Sequence, residues 1–401
     1  MPSEPQTTVE LPPPPPAAAH RRRGLIFLGL AMASVGFAMA VQMGTNSNFV
    51  ADEMKLSWFQ QGVLETFRET CGIAALAVLA ILAGFAEPVV AAGMLALFAV
   101  GLGAYRFVPD YFWLIVASLV WSQGLHVWMP LPQSMTFALA EPGRAGHRLG
   151  QVRAAGAAGS GVGLVAALIL SWAGVEIRPL YLVAGVAGLL AAAACLGIPR
   201  RIRTPGPRLV FRRRYALFYL LSFLEGWRKQ IFIAFAGFLL VREHNTDLKV
   251  MLGLWIGIHA IGWAASPLVG RLIDRVGERR VLVFYFTSLT LFFVGYALIP
   301  NKIVLWCLYV IDSAFFVFAM ALVTYVNRIA PKSEHTPTLS MGVAMNHVAA
   351  VIMPLAGALV WRYTNYHWVF LLGAAAAAGS IVVALRVPPH TRAAEKAVAK
   401  P

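Results

Sequence analysis

The sequence predicts an all-α membrane protein that crosses the bilayer twelve times. Three observations carry this reading. Of 401 residues, 59% are hydrophobic and 13% charged, whereas a soluble domain is roughly 45–50% apolar and 25% charged. Mean hydropathy is +0.69. Apolar runs of spanning length recur along the chain, and basic residues gather in the gaps between them. No soluble core of this size hides so much apolar surface, so a cytosolic enzyme, a disordered chain and a fibre are excluded. In lipid a helix satisfies its own backbone groups, and about 20 residues suffice to cross.

Residues 1–23 are expected to form a disordered cytoplasmic tail. PPPPP at 12–16 allows only an extended polyproline helix, and apolar anchors are few. HRRR at 20–23 then meets the apolar run 24–47. That order resembles a signal peptide, but the run is too long for one and more membrane follows, so it is read as the first span. Further spans are expected at 57–83, 88–105, 111–139, 147–173 and 179–197, then at 215–241, 248–271, 281–299, 303–329, 338–361 and 366–386. The chain therefore divides into an N-terminal six-helix bundle at 24–197, a basic linker at 198–214, a C-terminal six-helix bundle at 215–386 and a tail at 387–401. Six spans on each side of one long linker is the pattern of two like halves related by an axis along the membrane normal.

The net charge of +15 is distributed as topology, not as a nucleic-acid face. The N-tail (Arg21, Arg22, Arg23), the gap after the fourth span (Arg144, Arg148, Arg153), the linker, the gap after the eighth (Arg271, Arg275, Arg279, Arg280), the gap after the tenth (Arg328, Lys332) and the C-tail hold most of the basic residues. The opposite gaps hold only Lys55, Arg106, Arg178, Arg242, Lys249, Lys302 and Arg362. Positive loops stay inside, which puts both termini in the cytoplasm and requires an even number of spans. The implied partner is the lipid bilayer, with no nucleic acid. Cys71, Cys195 and Cys307 fall in apolar runs without paired spacing, so neither a disulfide framework nor a metal cluster is indicated.

From Gly270 to Arg280 the chain reads G-R-L-I-D-R-V-G-E-R-R. This resembles the cytoplasmic signature of the major facilitator superfamily: a glycine, an Asp-Arg pair, then a second glycine and basic residues between two helices. The resemblance extends to the hydropathy pattern of the whole chain. It implies a major facilitator fold and a gating role for Gly270, Asp274, Arg275, Gly277, Arg279 and Arg280. Asp274 would then latch the inner gate by facing a helix N-terminus and nearby arginine. A carboxylate so placed favours one packing of two helices. The matching stretch of the first half, from Gly84 to Met94, keeps Gly84 but lacks the Asp-Arg pair, with Glu87 as a partial substitute. The glycine-rich start of the fifth span, Gly156 to Gly163, is expected to pack helices closely.

Ionisable groups in mid-membrane are costly and point to function. The second span carries Glu65, Arg68 and Glu69, and the seventh carries Glu225, Arg228 and Lys229. Spacings of three and four put each triad on one helix face. Arg228 and Lys229 have one local acid between them, which suggests an anionic substrate, since guanidinium matches carboxylate or phosphate. Expected substrate-binding residues are Arg228, Lys229, Gln230, Trp227, Arg68, Gln42, Asn46, His126, Asn346 and His347. Expected proton-coupling residues are Glu225, Glu65, Glu69 and Asp312, because a buried carboxylate near a movable cation gains and loses a proton readily. The third, sixth, ninth and twelfth spans have no charged residue in their interiors; the resemblance implies that these four lie outermost.

No HExxH, GxSxG or glycine-rich lysine loop is present, which argues against an enzyme. His126, His259 and His347 lie on three different spans, and nothing in their spacing shows a metal site; no cofactor is expected. The reading is a secondary active transporter of a small, anionic organic solute, monomeric and proton-coupled by symport or antiport. It would be a multi-pass protein of a bacterial inner membrane. Two alternatives stay open: proton-driven efflux of hydrophobic or cationic compounds, and a membrane sensor that transports nothing.

Overall fold

The computed structural model describes residues 18–141, 143–203 and 211–389. The proline run at 12–16, residues 204–210 of the expected linker and the end of the C-tail lie outside the described residues. All regular structure among the described residues is helical. In chain order the helices are α1 (Ala18–Asn48), α2 (Trp58–Ile81), α3 (Glu87–Ala104), α4 (Tyr111–Trp128), α5 (Leu131–Leu139), α6 (Ala145–Trp172), α7 (Ile177–Leu196) and α8 (Ala216–Ile231). They continue as α9 (Gly237–Arg242), α10 (Leu248–Val276), α11 (Glu278–Leu298), α12 (Lys302–Phe315), α13 (Met320–Ile329), α14 (Lys332–Tyr363) and α15 (Tyr366–Ala384). α1 already runs from Ala18, the first described residue, so it includes basic residues of the stretch expected to be tail, which contain no helix breaker.

Among the described residues, ten helical segments are long and apolar enough to cross a membrane. Three of the expected spans are jointed. α4 passes to α5 at Pro130, whose ring cannot donate to the helix ladder. α8 and α9 are joined by a π-turn at Phe232–Ala236, and α12 and α13 by a 3-10 turn at Phe316–Ala319. The two expected spans outside the ten are α2 and the α8–α9 rod, and each carries one of the charged triads.

Local chemistry sets where the helices begin. Ser57 and Gln60 cap α2 reciprocally, Asp110 caps α4, Asp247 caps α10, Asn301 caps α12 and Asn365 caps α15. All five start at the end of the molecule opposite the termini, here the far end. At the other end, α11 follows a sharp turn at Gly277, whose φ of +80° excludes most side chains. Nearby, Glu334 receives hydrogen bonds from Tyr215 and Arg214, which hold its carboxyl below the usual range.

The helices form two sets, α1–α7 and α8–α15, each packed mainly on itself. Between helices in lipid there is no hydrophobic drive, so close backbone approach does the work. The α1–α6 seam shows it: side chains at Gly159 and Gly163 would collide with the backbone of Ala33 and Phe37. α2 lies along α14, and α6 meets α10, to join the sets. One apolar core runs the length of the first set, from Leu28 and Ile198 at the terminal end, and continues into the second set at the far end, where Leu164, Leu252, Phe235 and Trp361 belong together. At the terminal end α8–α15 close over a separate core around Phe218, Tyr285 and Tyr325. The sets thus join at the far end and part toward the termini.

Candidate functional site

Trp58 of α2 stacks on Trp361 of α14 and meets the Phe238 ring edge-on at 4.4 Å, which seals the far end. Asn48 donates to the Thr246 carbonyl at 2.9 Å across the same seam. Below this plug, Gly62 faces Ala358 and the Pro354 carbonyl, and Gly72 faces the His347 ring with no room for a side chain. The charged triads lie below the plug.

The α2 triad spans both sets. Glu65 is buried and accepts from Arg68 at 2.9 Å and from Gln61 at 3.2 Å; Gln61 also donates to the Ala234 carbonyl at 3.1 Å. The Arg68 guanidinium lies 4.9 Å from the Trp121 ring centre, and Ser122 donates to the Arg68 carbonyl at 2.9 Å. Glu69 turns away from this pair. Its Oε2 sits 3.4 Å from His347 Nδ1 on α14, and the His347 and His126 rings meet edge-on with centres 5.3 Å apart. Glu69 and His347 keep 15% and 18% of their side-chain surface open, so this junction is not fully enclosed.

The second triad is split. Arg228 is fully buried, and its two terminal nitrogens are engaged from three helices, while its Nε has no hydrogen-bond partner among the described residues. It donates to both Glu225 oxygens at 2.9 and 3.1 Å, to Asp312 at 3.3 Å and to the Tyr285 hydroxyl at 2.9 Å, with the Phe316 ring 4.4 Å away. Arg228 is thus closed off by two carboxylates, not presented to open space. Lys229 differs: it is half-buried, and its ammonium donates to the neutral Asn346 at 2.9 Å. Among the described residues it has no carboxylate partner.

The other expected site residues scatter. Gln42 is buried and bonds Asn46 at 3.1 Å on its own helix. Gln230 is buried and Trp227 half-buried, and among the described residues neither side-chain nitrogen has a hydrogen-bond partner. His126 Nδ1 is held by the Ser122 carbonyl at 2.8 Å. In the signature segment Asp274 and Arg275 are exposed, Gly270 faces open space, and Asp274 makes no ion pair among the described residues. The acid that is engaged there is Glu278, paired with Arg328 at 3.1 Å. The expected contact of Asp274 with nearby arginine is therefore not made among the described residues. In the first half Glu87 is buried and accepts from Ser134 at 2.8 Å.

Sequence reasoning missed Tyr285, Gln61, Trp121 and Ser122. Gln61 had a signal, four residues before Glu65 on the same face, and Gly72 had one, three residues after Glu69. Tyr285 had none, because its span was read as uncharged and outermost.

The profile of the family described as Major Facilitator Superfamily matches residues 26–321 and again 218–401. Among solved structures, the nucleoside transporter NupG superimposes with a TM-score of 0.73 at 15% identity, covering 90% of this chain and 98% of that one. A bacterial homolog of the human lysosomal transporter Spinster, in an inward-facing and occupied conformation, gives 0.70 at 14%, covering 94% and 100%. A D-xylose-proton symporter gives 0.72 at 13%, covering 93% and 99%. At these identities the likeness is one of fold. No curated protein matches the sequence.

Proposed function

The chain belongs to the major facilitator superfamily, a family of membrane transporters and not of enzymes, and from that premise we propose that it moves a small organic anion by proton-coupled alternating access. The proposed topology is twelve spans in two six-helix bundles with both termini in the cytoplasm. It is supported by the basic gaps and by the two charged rods, α2 and α8–α9, which complete the ten apolar segments. The parted end then faces the cytoplasm, and the far end is the closed outer gate. An all-helical build suits a bacterial inner membrane, since outer-membrane spans are barrels. One chain supplies both walls of the crevice, so a monomer suffices.

The observation that carries the substrate reading is Lys229. A half-buried ammonium whose partner is a neutral amide is an incomplete pair, and a carboxylate or phosphate on the solute completes it. Arg228 takes a different role from the one its sequence suggested. Two carboxylates, Glu225 and Asp312, share one guanidinium. The surplus negative charge makes the cluster a proton acceptor, and protonation loosens the tie between α8 and α12. Tyr285 faces both Arg228 and Glu225 from α11 and completes the ring of groups around them.

Purified chain in liposomes, with a proton gradient imposed and a panel of labelled organic acids supplied, tests this. Wild type accumulates an anion with the gradient, Lys229→Ala loses it, and Glu225→Gln moves it without regard to pH. Transport of neutral or cationic compounds alone would overturn the anion reading. That outcome selects the efflux alternative, which the sealing of Arg228 favours.

A further inference from the structure

We propose that Glu69, His126 and His347 form a divalent transition-metal site of the zinc class that clamps the two helix sets together. The ligand atoms of these three residues lie within 4.8 Å of one another. Two come from the first set, on α2 and α4, and one from the second, on α14.

Several independent features fit a metal better than a bare ion pair. The 3.4 Å between Glu69 Oε2 and His347 Nδ1 is long for a hydrogen bond, and the nitrogen is buried with no hydrogen-bond partner among the described residues. It matches the edge of a zinc tetrahedron, about 3.3 Å for bonds of 2.0–2.1 Å. His126 donates Nδ1–H to the Ser122 carbonyl at 2.8 Å. That contact fixes the tautomer and leaves Nε2 as the nitrogen with a lone pair, the outer-shell support that metal-binding imidazoles carry. Arg68, the nearby cation, is engaged by Glu65 at 2.9 Å and by the Trp121 ring, so Glu69 is left to the imidazoles. Gly72 supplies the space that the His347 ring occupies. Two imidazoles and a carboxylate are a donor set that zinc accepts, with a fourth position for water; the partial exposure of Glu69 and His347 provides the route in.

The consequence is conformational. The three ligands meet only while α14 lies on α2, so a metal binds this state more tightly than any state in which the seam opens, and shifts the population toward it. The site is independent of the anion reading, because binding is measured without transport.

The test uses the full chain in detergent, with any affinity tag removed, titrated with Co2+ as a spectroscopic probe and with Zn2+ in competition. One Co2+ per chain with a tetrahedral ligand-field band, displaced by Zn2+, is expected. His126→Ala, His347→Ala and Glu69→Gln should each weaken it at least tenfold. A wild type without the band refutes the site even if a variant fails to fold. Equal binding by wild type and a folded His126→Ala/His347→Ala variant also refutes it. As a separate check on the clamp, Zn2+ should slow backbone hydrogen exchange along α2 and α14 severalfold in wild type but not in the His126→Ala/His347→Ala variant, and unchanged exchange in wild type overturns the clamp.

Discussion

Arg228→Met is the substitution whose cost the structure specifies best. The guanidinium has no exposed surface, and it pairs with two buried carboxylates at once. Removing one partner of a buried ion pair costs about 3–5 kcal/mol, because the remaining charge is left unpaired. Here two are left, so the upper end applies, until the orphaned acids take up protons and cap the loss. At 1.4 kcal/mol per tenfold, about 4 kcal/mol is roughly a thousandfold in the folding equilibrium. The discriminating comparison is Arg228→Met/Glu225→Gln/Asp312→Asn, which removes the charges together and should recover most of the stability. Denaturant titration in detergent micelles, followed by tryptophan fluorescence and circular dichroism, measures all three proteins. A single variant with a wild-type midpoint refutes the reasoning. So does a triple variant no more stable than the single one, because the loss would then come from packing and not from uncompensated charge.

The Trp58 and Trp361 rings stack across the far end, so Trp58→Cys/Trp361→Cys, bridged by a short reducible bifunctional thiol reagent, should stop transport and recover it on reduction; continued transport by the cross-linked protein contradicts the assignment of the gate. Gly159→Leu inserts a side chain into the Ala33 backbone of the α1–α6 seam. It should cost about 1–3 kcal/mol and broaden the size-exclusion peak, while Gly161→Leu, which faces open space, should do neither. Outside the membrane spans, hydrogen bonds from Arg148 hold the Glu141 carboxyl down at about 2. A depressed carboxylate stabilises the fold above its unfolded value, near 4.3, and that contribution fades as pH falls through about 2. The stability gap between wild type and Glu141→Gln, followed by thermal unfolding, should therefore close from pH 5 downward; a gap that widens reverses the sign.

Much of the helical plan is legible because lipid imposes it: a backbone without water must hydrogen-bond to itself, so apolar length reads directly as helix. The charged triads were legible for a related reason. In Glu65-Arg68-Glu69 and Glu225-Arg228-Lys229 the spacing alone fixes the face. What each face meets was not legible. Asp312 and Tyr285 reach Arg228 from helices distant in sequence, and His347 reaches Glu69 from the opposite set. Those pairings depend on how rods rotate against one another, and seams such as α1–α6 set that rotation through close contacts that hydropathy does not encode. The π-turn at Phe232–Ala236 was equally hidden, since nothing in its apolar residues marks a break.

α2 and the α8–α9 rod are too polar for the greasy slab on their own account. Each ionised residue at a helix centre resists insertion by about 2.5–3.5 kcal/mol, against a few tenths regained per leucine. As the chain emerges from the ribosome, Arg228 arrives before Asp312 and Tyr285 exist to receive it. The expectation is that such a segment settles in the bilayer only once α11 and α12 are made. If so, a chain truncated before Asp312 should leave α8 poorly inserted, and a glycosylation-mapping assay of such truncations measures it.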